Sequence, residues 1–149
     1  MKLFVFNFTL ALAGMSVFSS QAVAQPPVTH EIQITASSNG SLRYQDPNGN
    51  NATKQKAKKN EKVEWICNTV PAGETVVSFE IAFPKTPFCK NGCAEEDHGN
   101  GNNHGPRISK SVKGTPVIGL YKYAVAVVTR EANGNIRLYL DDPEIDIQP

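Results

Sequence analysis

Methionine is missing from all of this chain beyond Met15, and the only other one is Met1. The body of the protein therefore has no thioether with which to ligate a soft metal. Histidine and cysteine are scarce as well, three of each, so metal chemistry has few places to go. Charge of one sign is not in excess. Of 15 Lys and Arg only Lys2 lies in residues 1–24, which contain no acid, so the rest of the chain balances the 14 Asp and Glu. A neutral chain lacks the basic footprint of a nucleic-acid binder. No long apolar run follows Phe18, which leaves no second segment to span a bilayer, and no stretch sustains the period of an amphipathic helix.

What is present begins with a leader. Lys2 supplies a positive start, and Leu3 to Phe18 are apolar except for Asn7, Thr9, Gly14 and Ser16. Ala22-Val23-Ala24 then forms an A-x-A cleavage site before Gln25. This pattern reads as a secretory signal over 1–24, followed by one domain over 25–149. The expected location is periplasmic or extracellular. Such compartments are oxidising, so cysteines tend to pair. With three, at least one thiol is free, capped or paired between chains.

The remaining sequence reads as strands and turns. Glu31 to Thr35 alternates polar and apolar residues, and Ser38-Asn39-Gly40 marks a turn before Leu42 and Tyr44. Lys54 to Lys62 holds five lysines. They read as a solvated edge strand whose charge discourages edge-to-edge pairing, in preference to a polyanion patch. Val63, Trp65 and Cys67 share one face of a strand, which turns Cys67 inward beside the only tryptophan. Val77, Phe79, Ile81 and Phe83 are expected on one face of the next strand. Gly119 to Val128 is the strongest strand, with Tyr121, Tyr123, Val125 and Val127 aligned. Asn133-Gly134 is a turn, and short strands follow at Ile136–Leu140 and Glu144–Ile147. Many short strands with turns between them predict an all-β sandwich with one long irregular loop at about 84–106.

That loop concentrates the metal-binding residue types. Cys89, Cys93, His98 and His104 fall within sixteen residues rich in Gly and Asn. They could ligate zinc or copper, with Glu95, Glu96 and Asp97 assisting a harder ion, although the spacing matches no standard zinc motif. The favoured reading is a Cys89–Cys93 disulfide with solvated histidines. Pairing of Cys67 with Cys89 or Cys93 is the rival connectivity. Asp97 beside His98 resembles half of a catalytic triad, but no nucleophile elbow or paired carboxylates accompany it.

Three segments together resemble a cupredoxin-like β-sandwich. Lys59 to Trp65 is similar to the family's "K-x-G-D-x-V-x-W" strand, with Asn60 and Glu61 where the family has Gly-Asp. Val77 to Phe83 followed by Pro87-Phe88 is similar to a strand and "PF" corner of exported members. Gly119-Leu-Tyr121-Lys-Tyr123-Ala-Val125 resembles "G-x-Y-x-Y/F-x-C", and Asp142 to Ile147 resembles a "D-P-x-I-x-V" ending. The resemblance spans most of 31–147 and implies a Greek-key sandwich. It also places the copper cysteine at position 125, which is valine here. No histidine or methionine follows that position, and no histidine lies between Val63 and Phe83. A blue-copper centre is thereby excluded.

The expectation is a non-catalytic exported module without a cofactor, serving a structural role or binding an unknown protein or small ligand. Tyr44, Phe88 and Tyr139 are its candidate aromatic contacts, with core packing the favoured role for Phe88. Zinc or copper binding through Cys89, Cys93, His98 and His104 is the alternative.

Overall fold

The computed structural model describes residues 26–88, 97–100, 107–112 and 117–149. Eleven strands run in chain order: β1 Thr29–Ala36, β2 Leu42–Gln45, β3 Lys54–Ala57, β4 Lys62–Thr69, β5 Glu74–Phe83, β6 Asp97–Asn100, β7 Arg107–Ser111, β8 Gly119–Lys122, β9 Ala124–Glu131, β10 Ile136–Asp141 and β11 Glu144–Ile147. Two sheets have four strands, in the orders β2-β1-β4-β7 and β10-β9-β5-β6. A third has the order β3-β11-β8. The described chain is all-β with several sheets around one core, consistent with the expected β-sandwich.

Alternation builds that core. Ile32, Ile34 and Ala36 of β1 turn inward with Val63, Trp65 and Cys67 of β4, while Phe79, Ile81 and Phe83 of β5 face Val125 and Val127 of β9. Trp65 lies at the aromatic centre. Its ring meets Phe83, Phe88 and Tyr123 edge-on, with centroids 6.0, 5.8 and 5.6 Å away. Phe83 stacks on Tyr123 at 4.9 Å. Such aromatic pairs add about 0.5–1.5 kcal/mol each beyond their buried area. The indole Nε1–H donates to the Tyr123 hydroxyl over 3.0 Å, so the one polar atom of the tryptophan is satisfied inside.

Three expectations are corrected. Gly119–Val128 is not one strand. It breaks at Tyr123, whose N–H donates to the carbonyl of Pro143, so β8 pairs with β11 while β9 pairs with β10 and β5. The chain changes sheet there, and period-2 alternation cannot reveal a change of partner. Val77 does not join the inward face. The β5–β9 register slips between Val76 and Ser78, and the extra residue leaves Val77 exposed. The 84–106 connection is not wholly irregular either. Its Asp97–Asn100 portion pairs antiparallel with Glu80–Phe83 as β6. Of the lysine-rich Lys54–Lys62 segment, Lys54–Ala57 forms the edge strand β3, whereas Lys62 opens the interior strand β4.

Candidate binding surface

Of the residues that the sequence singles out, Cys89, Cys93 and His104 lie outside the described residues, as do Glu95 and Glu96. His98 is placed by its backbone alone, in β6 opposite Ala82. Asp97 sits opposite Phe83, so the chain between them leaves β5 and returns to it. Cys89 directly follows Phe88, which is buried against Trp65. Cys67 is a free, fully buried thiol. Burial pushes it up to about 11 and leaves it protonated and inert at neutral pH. Among the described residues, no cluster of three or more His, Cys, Asp or Glu is arranged to hold a metal ion.

His30 lies elsewhere and is engaged. Gln55 Nε2 donates to its Nδ1 over 3.2 Å, which leaves the proton on Nε2 for Glu61 Oε2 at 2.7 Å. Burial raises the Glu61 carboxyl, but the His30 and Lys58 N–H donors more than offset it and hold it below the usual range.

The buried acids are likewise consumed by structure. Glu74, with only 4% of its side chain exposed, accepts from the Thr129 hydroxyl at 2.5 Å, from Arg137 Nη1 at 2.8 Å and from the Tyr139 hydroxyl at 2.9 Å. The Thr129 hydrogen bond, then Arg137 and Tyr139, hold its carboxyl below the usual range. Arg137 also reaches the carbonyl of Ser38 and the Glu131 carboxylate. A cleft of about 410 Å³ lies beside this corner, but its acid and base already neutralise one another. Glu64 is paired with Arg107 at 2.8 Å and Lys62 at 3.4 Å.

Two of the candidate aromatic contacts, Tyr44 and Tyr139, are buried and not on the surface, while Phe88 packs in the core as favoured. Tyr139 turns inward because its hydroxyl and the Arg137 guanidinium share the Glu74 carboxylate, and odd positions of β10 oppose Thr129, Val127 and Val125 of the inward face of β9.

That turn inverts β10. In Ile-Arg-Leu-Tyr-Leu-Asp, simple alternation would bury the three aliphatic residues. Instead Ile136, Leu138 and Leu140 are 55%, 58% and 64% exposed. They stand across from Arg130, Val128 and Ala126 on the outer face of β9. The result is an apolar stripe on solvent, along the outermost strand of its sheet. The sequence signal was available: a Tyr and an Arg alternating with leucines beside a single inward Glu on the neighbouring hairpin. Reading it required knowing that Glu74 lies under this strand.

No protein-family model matches the chain, and no curated protein matches it either.

Proposed function

We propose that this protein is a non-catalytic, exported, cupredoxin-like sandwich module that binds a protein partner through the outer face of β10 and β9. The observation that carries this reading is the inverted alternation of β10. Three large aliphatic side chains are held in water where a core was open to them, and covering them would contribute about 1.5–3 kcal/mol each. Apolar patches of this kind on the outside of a folded chain mark contact surfaces. The charged groups near the core are spent on one another, which supports binding over catalysis.

Several features support the cupredoxin-like part. The three resembling segments fall on β4 with the turn before it, β5 with Phe88, and β8–β9, and the resembling ending falls on β11. Asn60, where the family has glycine, has φ +68°, a conformation that glycine adopts freely and that asparagine tolerates best among other residues. Val125, at the family's copper-cysteine position, is fully buried in the aliphatic core. The excursion that leaves β5 at Phe83 and returns at Asp97 contains Cys89 and Cys93, which supports a local disulfide. The same thiols with His98 and His104 are the competing zinc or copper set. Counting thiols in denaturant separates the two: one free thiol is expected, and three with a tightly held ion would replace the disulfide by the metal.

The binding reading is tested by methyl-labelled NMR of the protein with and without the exported proteins of its own source. Shifts confined to the Ile136, Leu138 and Leu140 methyls are expected. Unchanged methyls along β10, or changes only on other surfaces, would sink it.

A further inference from the structure

Resting on the proposal above that β10 is a contact surface, we infer that its partner is a second copy of this chain, paired antiparallel along the open edge of β10 about a twofold axis, with the aliphatic stripes of both copies side by side.

The backbone fixes which groups are available. In the β9–β10 turn, Gly134 N–H donates to the Glu131 carbonyl and Glu131 N–H to the Asn135 carbonyl, each over 2.9 Å. Glu131 and Asn135 are therefore a hydrogen-bonded pair, and bonded and non-bonded pairs alternate along an antiparallel ladder. Arg137, Tyr139 and Asp141 then direct their backbone groups to β9, opposite Thr129, Val127 and Val125. Ile136, Leu138 and Leu140 direct theirs to the open edge. The residues with unpaired backbone groups are thus the ones with exposed aliphatic side chains.

Three other edge strands carry exposed cations: Arg43 on β2, Lys54 and Lys56 on β3, and Lys122 on β8. Arg107 on β7 is paired with Glu64. The side chains of β6 are not described. The Arg137 charge on β10 is drawn inward onto Glu74, and β10 alone among these edges presents only aliphatic groups on its outer face.

The strand is complementary to itself. Around Tyr139 it reads Arg137-Leu138-Tyr139-Leu140-Asp141. Antiparallel pairing centred on Tyr139 sets Leu138 opposite Leu140 of the second copy, and centring on Leu138 sets Ile136 opposite Leu140 and Leu138 opposite itself. Aliphatic pairs directly across a ladder are favourable. A register displaced by one residue would set leucines against charged positions of the other face. Such an isologous contact is small, so it forms as concentration rises.

The test is light scattering on the exported protein from low micromolar to millimolar concentration, with amide exchange at both ends. The mass is expected to double, with exchange slowing at Ile136, Leu138 and Leu140. Leu138→Lys with Leu140→Lys, at two exposed positions, is expected to stay folded by circular dichroism and to remain monomeric. A monomer at every concentration overturns the inference, as does a dimer that survives the paired lysines. A monomer whose β10 amides slow only with another protein overturns self-pairing and leaves the binding reading standing. One whose β10 amides slow only with anionic phospholipid vesicles, or under no condition, overturns both.

Discussion

The Trp65–Tyr123 hydrogen bond is the most demanding polar contact in the core, because both groups are buried. Tyr123→Phe keeps the ring that stacks on Phe83 but strands the indole N–H. An unmade buried hydrogen bond costs about 1–3 kcal/mol, so the unfolding free energy is expected to fall by that amount, read as a lower urea midpoint with an unchanged slope. Cys67 makes a chemical prediction at the same scale. In a Cys89→Ser/Cys93→Ser chain, the remaining thiol is expected to resist thiol reagents at pH 8 until the protein unfolds, because burial pushes it up to about 11. Immediate native labelling would mean that β4 is not packed as described. Glu74 gives the pH dependence. Its carboxyl is held below the usual range by Thr129, Arg137 and Tyr139. A depressed carboxyl contributes stability above its unfolded value, and that stability is lost as the pH falls through the folded one. Melting temperature is therefore expected to fall more steeply below about pH 4 in the wild type than in Glu74→Gln.

At the scale of the strand, what could be foreseen depended on whether the decisive neighbour was local. The inward face of β4, with Val63, Trp65 and Cys67, follows from alternation alone, and so do Tyr121, Tyr123, Val125 and Val127. The break at Tyr123 does not, because it is caused by the Pro143 carbonyl twenty residues away. The bulge at Val77 is a matter of register with β9, and no residue type in β5 marks it. The inversion of β10 is the same lesson with a functional consequence. Its direction is set by a carboxylate on β5, sixty-three residues from Arg137 in the chain. Of the residues chosen from sequence for metal or disulfide chemistry, Cys89, Cys93 and His104 lie outside the described residues, and His98 is fixed only as a β6 residue opposite Ala82. Turn residues carry a further prediction. Asn60 stands at φ +68° between β3 and β4, where its N–H donates to the Val112 carbonyl. Asn60→Ala is expected to cost about 1 kcal/mol of stability, while Asn60→Gly is neutral or stabilising. Equal effects of the two would remove the backbone argument at this turn.

At the scale of the molecule, three sheets share one core, and the polar groups near it are organised to hold strands together. Glu74 ties β5 to β9 and β10, Glu64 ties β4 to β7, and Glu61 ties the turn before β4 to β1. Among the described residues, no helix is long and apolar enough to cross a membrane. A scaffold so closed leaves its unspent surface on the outside, and on β10 that surface is aliphatic and has an open backbone edge. The most direct test is residue-resolved amide exchange along β10, dilute and concentrated. The account predicts that Arg137, Tyr139 and Asp141 are protected under both conditions, while Ile136, Leu138 and Leu140 exchange fast when dilute and slowly when concentrated. Fast exchange at those three positions at every concentration, and in the presence of the exported proteins of the source, would contradict it.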